Sequence, residues 1–179
     1  MEFHKSKTYA NLMAAFAGES QARNKYTFYA AEAKNAGFEQ IGRIFEETAN
    51  NEKEHAEIWF KQLHGNSMPN TTESLDDAAN GEWYEFSDMY KRFAEEATEE
   101  GYLEIAALFK MVGSIEKEHH ERFKKLKENI EQGIVFKRDA VKIWKCLNCG
   151  HIHVGENAPN ACPVCSKPQA WFEIKSDNY

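Results

Sequence analysis

Glu52-Lys53-Glu54-His55 recurs as Glu116-Lys117-Glu118-His119, 64 residues further along the chain. Glu-x-x-His sets a carboxylate and an imidazole about one helical turn apart on one face. The similarity extends beyond the tetrapeptide. Tyr26, Ala33, Gly37, Ile41 and Phe45 map at the same offset onto Tyr90, Ala97, Gly101, Ile105 and Phe109. A chance match of four residues would not bring that frame with it. The chain therefore reads as a duplicated helical hairpin whose inward Glu-x-x-His turns bind metal.

A length of 179 residues suits one main domain and a small module. The net charge of −7 argues against a general nucleic-acid binder, which needs a basic face. Residues 134–179 hold six Lys/Arg against four Asp/Glu, so residues 1–133 carry −9, an excess that bound cations would partly offset. The N-terminus, Met1-Glu2-Phe3-His4-Lys5, has no apolar signal core, and no stretch approaches the ~20 apolar residues of a membrane span. We therefore expect a cytoplasmic protein. All four cysteines lie between 146 and 165 as two CxxC pairs, which in a reducing compartment read as metal ligands.

Helical periodicity predicts four long segments: about Ser6 to Asn35, Glu39 to His64, Ser74 to the stop at Gly101, and Leu103 to Gln132. Ser74, with Asp77 three residues on, reads as the cap of the third. Beyond Gly133, short β-type runs at Val141–Trp144 and Trp171–Ile174 flank the cysteines.

Some carboxylates interrupt the apolar stripes. Glu19 lies between Phe16 and Ala22, Glu52 and His55 between Phe45 and Trp59, and Glu116 and His119 between Val112 and Phe123. Buried carboxylates that converge need a cation. On the third helix, both Glu82/Glu85 and Glu96/Glu99 offer a pair. Height in the bundle decides, because Glu82 and Glu85 are as far from the Gly101 turn as Glu116 is. Glu99 sits at the turn itself, roughly 20 Å or more from that level. Glu46, Glu47, Glu54, Glu95, Glu96, Glu99, Glu100 and Glu118 are expected on a solvated face, as is His120, rotated about 100° from His119. Glu19 to Tyr26 is seven residues whereas Glu82 to Tyr90 is eight, and an extra residue inside a helix predicts a π-bulge there.

Cys146-Leu147-Asn148-Cys149 and Cys162-Pro163-Val164-Cys165 form two knuckles with twelve residues between them, the pattern of a tetrahedral four-thiolate site for zinc or iron. Ser166 stands where such knuckles favour Gly, which predicts mild strain at a left-handed position.

The runs Phe16-Ala17-Gly18-Glu19-Ser20-Gln21-Ala22-Arg23-Asn24, Glu52-Lys53-Glu54-His55-Ala56, Gly81-Glu82-x-x-Glu85 and Glu116-x-x-His119 resemble rubrerythrins, and the match covers essentially the whole chain. The resemblance implies a mainly α fold: a ferritin-like four-helix bundle over residues 1–137 and a small C-terminal β, rubredoxin-like ribbon over 138–179. It implies two non-haem irons in a dinuclear site ligated by Glu19, Glu52, Glu82, Glu85, Glu116 and His119. His55 would replace Glu85 on one iron in the reduced state, and Tyr26 and Tyr90 would stand beside the site. One further iron would sit on Cys146, Cys149, Cys162 and Cys165.

The implied activity is a di-iron peroxidase that reduces hydrogen peroxide to water in oxidative-stress defence. Electrons would come from a rubredoxin or an NADH-dependent reductase through the thiolate-bound iron. Two other readings stand beside it: a ferroxidase that handles iron, and a non-enzymatic bundle with a structural zinc ribbon. An appended electron carrier argues against an iron store. If the second and third helices run parallel, as in ferritin-like folds, the 65–73 link must travel back along the bundle. Nine residues reach about 30 Å, barely the distance needed. We therefore expect a homodimer, with residues 1–64 of one chain able to pair with 74–132 of another.

Overall fold

The computed structural model describes residues 2–178, which divide into two units, one ending at Asn70 and the other beginning at Thr71. In the first, Ser6 caps a long helix by accepting the Tyr9 N–H at 3.0 Å. That helix, α1 (Lys7–Asn35), turns back at Gly37 into α2 (Glu39–Leu63). The turn is a Schellman motif: Phe38 N–H donates to the Ala33 carbonyl at 2.8 Å and Gly37 N–H to Lys34 at 2.9 Å, with Gly37 at φ +85°. Only small residues are buried on the two helices, namely Ala30, Gly42, Ala49 and Ala56. A Cβ at Gly42 would lie 2.6 Å from Lys34 Cγ and 3.1 Å from the Ala30 carbonyl, so the backbones approach closely there.

The second unit repeats the plan with one change. Its first helix is α3 (Thr71–Tyr84), a π-helical turn (Glu85–Met89) and α4 (Tyr90–Glu99), running on to the turn at Gly101 and then α5 (Leu103–Glu131). Tyr102 N–H donates to Ala97 at 2.8 Å, the counterpart of Phe38 to Ala33. Ala94 and Ala106 are buried where Ala30 and Gly42 are buried in the first hairpin. The π turn, closed by the Tyr90 N–H on the Glu85 carbonyl, absorbs the extra residue between Glu82 and Tyr90. The predicted bulge is present. The helix starts at Thr71, three residues before the expected cap Ser74; Asn70, a residue type favoured at helix starts, precedes it.

After Gly133 the chain forms an antiparallel sheet, ordered β2-β1-β3, from β1 (Lys137–Cys146), β2 (Ile152–Asn157) and β3 (Phe172–Ile174). The sequence reading missed β2 and placed only the middle of β1. Its small core is Trp144, Cys146, Ala158, Cys162 and Phe172, and Trp144 Nε1 donates to the Gly155 carbonyl at 2.9 Å. The mainly α class with a C-terminal β ribbon is what the chain adopts.

The two knuckles close alike. Gly150 N–H donates to Cys146 and Ser166 N–H to Cys162, both at 2.9 Å, with φ at +78° and +59°. Ser166 thus holds the left-handed conformation that its Cβ disfavours. Ser166→Gly should raise the unfolding free energy of the metal-free chain by up to about 1 kcal/mol, less what glycine costs in chain entropy. Gly150→Ala should lower it by about 1–2 kcal/mol, although the new methyl meets nothing within 4 Å. Denaturant titration of both variants checks the opposite signs.

Candidate metal centres

Close approach of α1 and α2 along their small-residue seam brings three side chains together. His55 Nδ1 lies 2.8 Å from Glu52 Oε2 and 3.9 Å from Glu19 Oε2. The second hairpin builds the same cluster, with His119 Nδ1 2.8 Å from Glu116 Oε2 and 3.6 Å from Glu82 Oε2. In each cluster one donor atom from every residue falls within 4.8 Å of the others. All four carboxylates are half-buried, whereas Glu46, Glu47, Glu54, Glu95, Glu96, Glu99, Glu100 and Glu118 are exposed, as their stripe positions imply.

The aromatic frame repeats too. Tyr26 and Phe45 have ring centroids 6.0 Å apart, as do Tyr90 and Phe109. Tyr29–Phe45 and Phe93–Phe109 both measure 5.6 Å. Such agreement at the 64-residue offset means that the duplication is conserved in side-chain packing as well as in letters.

Electrostatics distinguish the second hairpin. Burial, and then the neighbouring Glu116 carboxylate, raise the Glu82 pKa above the usual carboxylate range. Burial, and then Glu85, Glu116 and Glu82, push the Tyr90 phenol up, so it keeps its proton. Glu85, on the π turn, stands outside the three-donor cluster yet acts on both groups. It has no counterpart in the first hairpin, where Gln21 and Ala22 hold the matching positions.

His120 corrects an expectation. It is half-buried, its Nδ1 lies 2.8 Å from the Ala79 carbonyl and its ring stands 5.6 Å from Phe86. An Nδ1–H there donates to that carbonyl and ties α5 to α3 one turn before Glu82. Helical rotation relative to His119 carried no signal for this contact.

In the ribbon, Cys146 Sγ and Cys165 Sγ are 3.8 Å apart, and Cys149 Sγ and Cys162 Sγ 3.6 Å. A tetrahedral ion with metal–sulfur bonds of about 2.3 Å has sulfur–sulfur edges of about 3.8 Å. The four sulfurs therefore fit such an ion. The Lys167 N–H holds the Cys165 thiol down to about 6. The His151 N–H favours the Cys149 thiolate, but burial and the other sulfurs outweigh it and push that thiol up to about 12. The sulfurs share protons that a metal ion displaces. The hairpin clusters, with carboxylate oxygens and imidazole nitrogens, form a harder donor set that suits iron.

A family model described as Rubrerythrin matches residues 10–127, and one described as Rubrerythrin, rubredoxin-like domain matches residues 144–173. The chain is 48% identical to Rubrerythrin-1 of Clostridium acetobutylicum, with 97% of each chain covered. It is 46% identical to a rubrerythrin of Porphyromonas gingivalis, over 97% of this chain and 92% of that one. A solved nigerythrin structure in a mixed-valence state is similar at 34% identity, covering 95% of this chain and 87% of that one, with a TM-score of 0.36.

Glu52→Ala and Glu116→Ala should each abolish dinuclear iron binding while leaving metal on the four cysteines. The helices should survive, because the substitution also removes a carboxylate's desolvation cost. Glu96→Ala and Glu99→Ala should bind iron as the unaltered chain does. Metal analysis together with circular dichroism checks all four.

Proposed function

The chain belongs to the rubrerythrin family, and from that premise we propose that it is a non-haem di-iron peroxidase that reduces hydrogen peroxide to water in oxidative-stress defence. Its cofactors are two non-haem irons in a dinuclear centre and one iron on four thiolates. The observation that carries the proposal is the presence, in one chain, of two carboxylate–imidazole clusters and a four-sulfur cluster. A centre suited to two-electron chemistry is thereby joined to a one-electron carrier. An iron store has little use for such a carrier.

When bound, the irons supply the two electrons that hydrogen peroxide takes up, with two protons, on becoming two waters. Glu19, Glu52, Glu82 and Glu116 would set four negative charges against the cations, with His119 and either Glu85 or His55 completing the donor set. Glu85 and His55 would serve as alternative ligands at one position, a carboxylate carrying a charge that the neutral imidazole lacks. Tyr90, protonated for the reasons given above, offers a hydrogen bond toward these carboxylates, and Tyr26 holds the matching place in the first hairpin. Cys146, Cys149, Cys162 and Cys165 form the entry port for electrons from a rubredoxin or an NADH-dependent reductase. The backbone N–H groups of His151 and Lys167, aimed at sulfur, favour the more negative, reduced state of that port.

Residues 1–137 then act as the di-iron body and 138–179 as the rubredoxin-like module, in a cytoplasmic homodimer. Among the described residues, no helix is long and apolar enough to cross a membrane.

Glu85→Ala should still bind iron, because four carboxylates and two imidazoles remain. Its peroxide turnover should fall by about 10-fold or more, and stopped-flow reoxidation of the reduced protein by peroxide measures it. Truncation after Lys137 should leave a body that, once chemically reduced, consumes one equivalent of peroxide quickly. That truncate should fail in steady state with a rubredoxin-type or reductase donor. Steady-state turnover equal to that of the full chain would remove the electron-entry role of the four cysteines.

A further inference from the structure

The second hairpin carries a groove that the proposed metal chemistry leaves unused. Between the π turn with α4 and the facing stretch of α5 lies a cavity of about 310 Å³, lined by the rings of Phe86, Tyr90 and Phe109 and by Lys91, Lys110 and Lys117. The rings are half-buried and form its floor, while the lysines are exposed and form its rim. Among the described residues no carboxylate lines it. That is unexpected in a chain with 29 Asp/Glu against 22 Lys/Arg, whose acidic excess lies in residues 1–133.

The lysines of the rim also lack counter-charges. Elsewhere on the helices Lys34, Lys61, Lys125 and Lys127 each lie within 3.2 Å of a carboxylate. Among the described residues Lys91, Lys110 and Lys117 make no ion pair. For Lys110 its own helix offers none, because the positions three and four residues away are Ala106, Ala107, Gly113 and Ser114. The duplication supplies a contrast. At the 64-residue offset Lys91 and Lys110 correspond to Thr27 and Glu46, and Lys34 engages Glu46 at 2.5 Å. The basic groove belongs to one hairpin, so the shared fold does not require it. Lys110 and Lys117 are turned by about 100–120° around α5 from Glu116, so the groove opens on a different side from the carboxylate cluster. Tyr90 is common to both, since the charges of Glu85, Glu116 and Glu82 reach it.

We infer that this groove binds a small anion that carries an aromatic ring, of the nucleoside phosphate class. Phosphate alone would fill part of the cavity and leave three rings without a partner. A neutral ring alone would leave three ammonium groups uncompensated. A base stacks on an aromatic side chain whatever its hydrogen-bonding pattern, and lysines hold phosphate as point charges. The volume lies at the small end of ligand cavities. An acidic protein surface fits less well. Asp88, Glu95, Glu118 and Glu121, all exposed and close in sequence to Lys91 and Lys117, would repel it.

Isothermal titration of the metal-loaded full chain with adenosine monophosphate tests the site, with adenosine and inorganic phosphate as the two halves of the probe. At low salt the nucleotide should bind saturably, and each half at least about 10-fold more weakly. Lys110→Glu, which installs the first hairpin's residue, should weaken nucleotide binding by about 10-fold or more. Lys25→Glu makes the same change of net charge on α1, which lines no part of the groove, and should alter binding by less than about 2-fold. Absence of saturable binding up to about 1 mM nucleotide overturns the site. Inorganic phosphate that binds as tightly as the nucleotide overturns the ring-bearing ligand, and equal losses in the two lysine variants overturn the location. Should Lys110→Glu fail to fold, photolabelling of the unaltered chain with an azido derivative of adenosine monophosphate decides instead. Label between Phe86 and Lys117 supports the groove, and label elsewhere overturns it.

Discussion

A carboxylate drawn partly out of water beside a second carboxylate is unstable until a cation joins them. That constraint is plainest in the second hairpin. Glu82 feels it most: burial, and then Glu116, raise its pKa above the usual carboxylate value. The rest of each hairpin is arranged so that the clash occurs. Gly42 and Ala30 let α1 and α2 come close enough for Glu19 to meet Glu52 and His55. In the second hairpin Gly113 sits against Tyr90, a Cβ there lying 3.1 Å from the tyrosine's own, and His120 ties α5 to the Ala79 carbonyl. A larger seam residue would separate the helices and dissolve the cluster, so the alanines and glycines are as much a part of the metal chemistry as the ligands.

The ribbon answers a different constraint. Four sulfurs must stand at the corners of a tetrahedron while their protons are removable, and a sheet of three short strands has little apolar material with which to hold them. Trp144 and Phe172 supply most of it, and Cys146 and Cys162 are themselves part of the core. The outer two are handled by the backbone instead, through the N–H groups of His151 and Lys167. Soft donors in the ribbon and hard donors on the helices keep the two kinds of site chemically separate within one chain.

Much of this was legible in the sequence because helices and knuckles are periodic. Glu19, Glu52 and Glu116 declared themselves by interrupting apolar stripes, and Glu82 by its height relative to the Gly101 turn. The eight-residue spacing from Glu82 to Tyr90 announced the π turn, and Ser166 its positive φ. What escaped was set by contacts across elements. The Ala79 carbonyl that engages His120 is 41 residues away, and no local pattern points to it. β2 was missed because its apolar residues, Ile152 and Val154, face solvent and its role is pairing with β1. The early start of α3 at Thr71 was hidden by Ser74, which with Asp77 resembles a cap.

The π turn has a consequence for how the two halves differ. One residue inserted in a helix rotates everything before it by about 100° relative to everything after it. Removing the extra residue between Glu82 and Tyr90 would swing Glu82 by about 100° relative to Tyr90 and the helix beyond it. The extra residue leaves the two hairpins unequal: the first gathers Glu19 and Glu52, the second Glu82 and Glu116 with Glu85 beside them. The cluster on the second hairpin therefore has one carboxylate more in its electrostatic surroundings than the cluster on the first. One residue, added inside a helix, thus turns a repeated pattern into two chemically different surroundings.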